Sequence, residues 1–311
     1  MTGDLIAIVL PVFGLIAVGF LASLTRLLPE RSGDGLSDFV STIGVPALVF
    51  KTMATAILPD AQPWGYWLAY FGGLALVWTM AMTLARRGFG VGQGESVIAG
   101  FSSAQSNTVL VGIPLIFRAF GDAGAVPLFL LIAIHLPITM TTATLLLEGA
   151  DNFSVKMLAR RLLLNPLILS VLLGVGFRFS GIALGGAAKS IIESLGAASI
   201  PCALVAMGLA LRRYGMQANM RLTLSVCALK LLVHPAAVFL LAFKVFSMPP
   251  VWSGVAVLFA AMPCGINAFL IADRYKTGVA LASGAIAAST GISLVTVVFW
   301  LWMLGVGAGP P

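Results

Sequence analysis

Stretches of about 20 predominantly apolar residues follow one another along almost the whole chain, and each is long enough to cross a bilayer as a helix. The connectors between them are too short to form a separate domain. Of 311 residues, 59% are hydrophobic and 9% charged, whereas a soluble domain carries about 25% charge. A water-facing surface cannot be built from so few charges, so the chain reads as one all-α polytopic membrane domain.

The spacing predicts about ten spans, over 5–24, 36–57, 64–85, 95–119, 124–147, 165–181, 187–211, 222–246, 250–273 and 277–304. The long connector GADNFSVKMLARRLLLNP mixes Lys156, Arg160 and Arg161 with apolar residues, as an amphipathic helix lying on the membrane would. It divides the chain into a first five-helix half (1–147), a connector (148–164) and a second half (165–311).

Lys and Arg outnumber Asp and Glu by 18 to 11, but they fall in short inter-span clusters rather than one basic patch. Lipid head groups, not nucleic acid, are their expected partners. Twelve of these cations fall in or beside loops after odd-numbered spans and four in or beside loops after even-numbered spans. The odd loops are therefore expected in the cytoplasm and both termini outside, in a cell membrane of bacterial type. Cys202, Cys227 and Cys264 sit in apolar stretches without metal-ligand spacing and read as packing residues. The N-terminus lacks a basic segment before its apolar run, so span one is expected to be kept rather than cleaved as a signal peptide.

An odd number of spans per half means that two similar halves would enter the membrane in opposite senses. Leu15-Ile16-Ala17-Val18-Gly19-Phe20 parallels Leu172-Leu173-Gly174-Val175-Gly176-Phe177 at an offset of 157. Asp38 and Val45-Pro46 parallel Glu193 and Ile200-Pro201 at 155, and Asn107 parallels Asn267 at 160. The shared order of these matches predicts an inverted-topology repeat.

Two spans look interrupted. The fourth carries Ser102, Ser103, Gln105, Ser106, Asn107 and Thr108, a run that cannot face hydrocarbon, with Gly112 and Pro114 just beyond. A break near 104–107 follows, with Ser106 or Asn107 placed to cap the second half-helix. In the ninth span Pro263 removes a backbone donor, Gly265 relaxes the backbone and Asn267 supplies an amide. Half-helix N-termini and side-chain amides meeting at mid-membrane suit a carboxylate; the same residues could instead serve as helix-packing groups. Pro46 and Pro201 sit mid-span and either kink their helices or line the site. Asp38 and Glu193 precede them by eight residues, about 12 Å of helix, and read as gate or boundary residues. Among the remaining ionisable groups, Lys51 can snorkel outward. Lys230 and His234 share one helical face and could relay a proton, contact an anion or hold structure, and His135 reads as a packed, hydrogen-bonded residue. No nucleophile–base pair, phosphate loop, HExxH or close carboxylate pair occurs in the spans, so neither an enzyme nor a cofactor is expected.

Asn107-Thr108 with Gly112-Ile113-Pro114-Leu115, Gly44-Val45-Pro46-Ala47-Leu48-Val49-Phe50 before it and Pro263-Cys264-Gly265-Ile266-Asn267 after it resemble the auxin efflux carrier family. The likeness covers essentially the whole chain, and the short central connector is similar to that of the bacterial malonate-carrier-like members. The resemblance implies ten helices in two inverted five-helix repeats. It implies a transport domain, with crossed fourth and ninth helices, that moves against a scaffold of spans one, two, six and seven. It also implies small organic anions as substrates, with Asn107 and Pro114, and Pro263 and Asn267, matching the two motifs.

The expected function is therefore alternating-access transport of a small organic anion, with membrane lipids as the other partners and a homodimer as one form of assembly. The alternatives are a sodium- or proton-coupled carrier of similar architecture, which commonly needs intramembrane carboxylates, and a non-transporting receptor that binds without flux.

Overall fold

The computed structural model describes residues 2–55, 64–149, 163–182, 184–214 and 219–306, and no strand is found among them. Most of the expected amphipathic connector, residues 150–162, lies outside the described residues. The helices are α1 (Thr2–Leu24), α2 (Glu30–Phe39), α3 (Val45–Thr55), α4 (Trp64–Thr83), α5 (Gln93–Ala104), α6 (Ile113–Phe120) and α7 (Ala125–Glu148). There follow α8 (Pro166–Phe179), α9 (Gly186–Leu211), α10 (Met220–Ala228), α11 (His234–Phe239), α12 (Pro250–Ala261), α13 (Asn267–Arg274) and α14 (Val279–Met303).

Seven helical runs among the described residues are long and apolar enough to cross a membrane, where the sequence predicts ten spans. The difference has a physical origin. The expected fourth and ninth spans are each in two pieces, and α8 has only 14 residues. The helical residues from Thr108 through α7 run on as one 41-residue stretch. Leu10, Val18, Leu21, Leu173 and Val295 are exposed on the outside of the bundle, an apolar surface of the kind that hydrocarbon rather than water covers.

Three of the five wide, π-helical turns among the described residues interrupt the helices, at Val40–Gly44, Thr108–Gly112 and Leu229–Val233. Each ends two residues before a proline: Pro46, Pro114 and Pro235. A proline ring clashes with the carbonyl four residues earlier and offers that carbonyl no N–H. Those carbonyls belong to Thr42, Leu110 and Leu231, each inside a wide turn, where the extra residue makes room for the ring. Pro201, expected to kink or line a site, instead lies within the continuous α9 and is exposed.

Small residues let the helices approach closely. α1 packs on α9 where a Cβ at Gly19 would lie 2.2 Å from the Val205 carbonyl oxygen, and one at Gly208 2.0 Å from that of Ile16. α8 packs on α3 where a Cβ at Gly174 would lie 2.8 Å from the Phe50 carbonyl oxygen and 2.7 Å from the Met53 Cβ. Gly44 meets the Ser199 Cβ.

Two ion pairs brace this frame: Lys51 with Glu193 at 3.1 Å, between α3 and α9, and Arg213 with Asp34 at 2.6 Å, between the end of α9 and α2. Lys51 therefore does not simply snorkel, and Glu193 has a partner. Both groups of the Lys51 pair are more than a third exposed, so Lys51→Met is expected to cost at most about 1 kcal/mol. The melting temperature of the detergent-solubilised protein checks this.

Candidate functional site

The fourth and ninth expected spans break where the sequence loses helix-compatible residues. α5 ends at Ala104, Gln105 is extended (φ −75°, ψ 118°) and Asn107 is non-helical (φ −77°, ψ 75°). α12 ends at Ala261, Met262 is extended, and α13 starts at Asn267. Buried backbone groups released by a break need partners, and the two breaks supply them to each other. The Asn107 N–H donates to the Pro263 carbonyl at 2.8 Å, and the Gly265 N–H donates to the Gln105 carbonyl at 3.0 Å. Ser106 and Cys264 thus face each other in an isolated antiparallel bridge. A Cβ on Gly265 would sit 3.0 Å from the Ser106 carbonyl oxygen, so a side chain there would press the two segments apart by a few tenths of an ångström.

The polar side chains gather around this contact. Thr139 on α7 donates to Gln105 Oε1 at 2.8 Å, and Asn107 Nδ2 approaches Met207 Sδ on α9 at 3.1 Å. Lys230, in the wide turn before α11, is fully buried. Its Nζ donates to Ser106 Oγ at 2.8 Å and to the Ala260 carbonyl at 2.5 Å, and lies 3.3 Å from His234 Nδ1. His135 Nδ1 meets the Tyr70 hydroxyl at 2.9 Å, and its Nε2 accepts from the Ser106 N–H at 3.5 Å.

Beside the crossing lies a cavity of about 460 Å³. One wall is formed by Gln105, Ser106, Asn107 and Thr108 of the first break, with Gly265 and Asn267 of the second. Asp38, Ser41 and Thr42 from α2 and its wide turn, and Asn165 at the start of α8, line the cavity as well. Ile132 and Leu136 of α7 supply apolar surface. Asp38 is exposed and is the only charged residue lining the cavity among the described residues.

Several expected site residues therefore converge: Gln105, Ser106, Asn107, Thr108, Gly265, Asn267 and Asp38 line the cavity. Pro263 contributes its backbone carbonyl to the crossing, while Lys230, His234 and His135 stand directly behind the wall. Pro46, Pro114, Pro201 and Glu193 do not line it. One expectation is corrected: the half-helix after the first break is capped by neither Ser106 nor Asn107. The Asn107 side chain makes no cap hydrogen bond, because its backbone leaves the extended geometry of a cap and its amide turns to Met207. α13 likewise starts without a side-chain cap. By contrast, α8 and α10 are closed by Asn165 and Asn219, whose side-chain oxygens accept from first-turn amides. Sequence reasoning missed Tyr70, Thr139 and Met207, which look like ordinary span residues. It also missed Ser41 and Thr42, although Ser37, Asp38, Ser41 and Thr42 form one hydrophilic helical face that could have been found.

The sequence pattern of the family described as "Membrane transport protein" matches residues 4–152 and 151–301. The chain belongs to this family, the auxin efflux carriers. Membership makes it a membrane transport protein rather than an enzyme. It is 28% identical to the protein called "Putative malonate transporter" of Rhizobium meliloti (strain 1021), over 99% of this chain and 98% of that one. It is 26% identical to an "Uncharacterized transporter" of Methanothermobacter thermautotrophicus, over 94% and 96% of the two chains.

Proposed function

We propose that this chain carries small organic anions across the cell membrane by alternating access, holding a carboxylate between Asn107 and Asn267. The observation that carries this reading is the convergence of two half-helix starts without side-chain caps on one wall of the cavity. First-turn N–H groups and the positive end of each half-helix dipole favour an anion there. The malonate assigned by name to the Rhizobium relative supports a di- or monocarboxylate, and a cavity of about 460 Å³ has ample room for one.

The carrier is a ten-span protein in which α2 with α3, α5 with α6, α10 with α11, and α12 with α13 each count as one span. Its halves, 1–147 and 165–311, are inverted repeats. The glycine contacts support this reading: Gly19 against Val205 becomes Gly174 against Phe50 when the halves are exchanged at an offset of 155. Gly44 against Ser199 maps onto itself at the same offset. At the crossing the hydrogen bonds exchange at an offset of 158, pairing Asn107 with Gly265, so Asn267 enters the site two residues beyond the strict counterpart of Asn107. With odd loops in the cytoplasm and both termini outside, the Asp38 and Asn165 side of the cavity opens inward. The crossed segments, carried on α4 to α7 and α10 to α14, move against a frame of α1, α2, α3, α8 and α9.

A thermal-shift panel of mono- and dicarboxylates on the purified protein tests the reading. A carboxylate is expected to raise the melting temperature in sodium and in potassium buffers alike; stabilisation by none of them would overturn the anion site, and stabilisation only with sodium would favour a sodium-coupled carrier. Asp38, the single charge on the wall, disfavours a second negative charge nearby. Asp38→Asn is expected to tighten carboxylate binding by about two- to fivefold, the scale of a like charge screened by water, read from the same titrations.

A further inference from the structure

The strongest feature left unexplained is the surroundings of Lys230. An ammonium has three donors and no acceptor, and Lys230 Nζ donates to two acceptors, Ser106 Oγ at 2.8 Å and the Ala260 carbonyl at 2.5 Å, and lies 3.3 Å from His234 Nδ1, whose role follows the ring tautomer. With His234 Nδ1 unprotonated the site accepts all three hydrogens of the charged form. Charge balance is another matter. The titratable groups nearest it are Tyr70 of α4, His135 of α7, His234 of α11, Cys227 of α10 and Cys264 of the second break, none of them a carboxylate. α12 and α14, which also pack here, carry no titratable side chain. Asp38 lines the same cavity as Ser106, and Asp273, paired with Lys276, stands in the last turn of α13; the other acids on the neighbouring helices are Glu95 in the first turn of α5 and Glu148 at the end of α7. These two glutamates stand about 16 Å or more along their helices from the crossing. Arg221, at the start of α10, is about 13 Å away by the same measure.

We propose that Lys230 is the counter-cation of the transported anion, acting through Ser106, and that anion binding is thereby linked to one proton held on Lys230. This inference rests on the carboxylate-carrier reading. Ser106 stands between the two: it lines the cavity on one side and accepts from Lys230 on the other. A protonated Lys230 can only donate, so it occupies a lone pair of Ser106 Oγ and leaves the hydroxyl hydrogen, which in the empty site lies against the Tyr70 hydroxyl, to turn to a carboxylate. A deprotonated Lys230 can accept that hydrogen, which turns Ser106 away from the anion and removes the compensating charge. A buried cation with no carboxylate is costly until an anion arrives. Anion and proton therefore strengthen each other's binding by the same factor.

The linkage has a measurable sign. At a pH where Lys230 of the empty site has lost its proton, binding must take one up, and affinity falls by about tenfold per pH unit. Malonate binding to purified protein, measured from neutral to alkaline pH, reads this directly, because carboxylates there no longer titrate. The wild type is expected to weaken with rising pH and to take up protons from the buffer on binding. Lys230→Arg, charged throughout, should bind malonate without that pH dependence. Lys230→Met should bind about tenfold to a hundredfold more weakly at neutral pH, again with no pH dependence. If Lys230→Met does not fold, the wild-type proton uptake and the Lys230→Arg profile decide the matter. The proposal is overturned if wild-type binding takes up no proton at any of these pH values, or if either variant keeps the wild-type pH profile. An anion that stabilises wild type but not Asn107→Ala, with Lys230→Met unchanged, would sink the role of Lys230 alone. Wild-type protein that binds no carboxylate would overturn the carrier reading and this proposal with it.

Discussion

Asn107→Ala is expected to reach the membrane folded and to lose transport. The two halves of this expectation come from different bonds. The backbone of Asn107 holds the crossing together through its hydrogen bond to the Pro263 carbonyl, and alanine keeps that bond. Among the described residues its side-chain amide donates only to Met207 Sδ, a weak acceptor, so the stability lost should be about 1 kcal/mol or less. A carboxylate in the cavity would lose a charge-assisted hydrogen bond, about 1.5–3 kcal/mol, or roughly tenfold to a hundredfold in affinity. Transport should suffer further, because the same amide must hold the anion while the cavity changes sides. An unchanged melting temperature together with lost carboxylate binding and lost uptake is the expected pattern; full uptake would remove Asn107 from the site.

Gly208→Leu should have the opposite character, with no folded protein to assay. The Cβ would meet the Ile16 carbonyl oxygen at 2.0 Å, the Phe20 amide nitrogen at 2.7 Å and the Gly19 Cα at 2.9 Å, all of them backbone. No side chain can rotate aside, so α1 and α9 must separate. Overpacking that only side chains absorb costs about 1–3 kcal/mol, and a forced separation of two scaffold helices should exceed that range. Gly176→Ala is the matched control, because nothing lies within 4 Å of a Cβ built there. Size-exclusion profiles and melting temperatures in detergent should separate the two variants; a monodisperse, wild-type-like Gly208→Leu would mean that the α1–α9 contact does not hold the frame.

What could be read from sequence follows from which physics is local. The break at 104–107 was legible because Ser102 to Thr108 cannot face lipid as a continuous helix, and the second break because Pro263 and Gly265 disrupt the backbone by themselves. The capping expectation failed because a cap depends on backbone angles that Asn107 does not adopt. The amide turns instead to Met207, a hundred residues away, and no local pattern encodes that pairing. The apolar match that set Gly19 against Gly176 came within two residues of the packing equivalent, Gly174, whose identity rests on the partner helix rather than on neighbouring letters. The role of Pro46 and Pro114 was half legible. A disturbance at each proline was expected, but its form, a wide turn just upstream, belongs to the geometry of the ring against the carbonyl four residues earlier. Lys230 was conspicuous as a cation in an apolar span, yet its polar neighbours come from the first break, the last turn of α12 and His234 one turn on, which only the fold assembles.

Counterflow in sealed vesicles tests the carrier claim most directly. Purified protein reconstituted with unlabelled malonate inside is given trace radiolabelled malonate outside. An alternating-access carrier should accumulate label transiently above its equilibrium level, and vesicles containing Asn107→Ala should not. Malonate binding to the detergent-solubilised protein without any accumulation in vesicles would contradict a carrier and leave a protein that binds an anion without moving it.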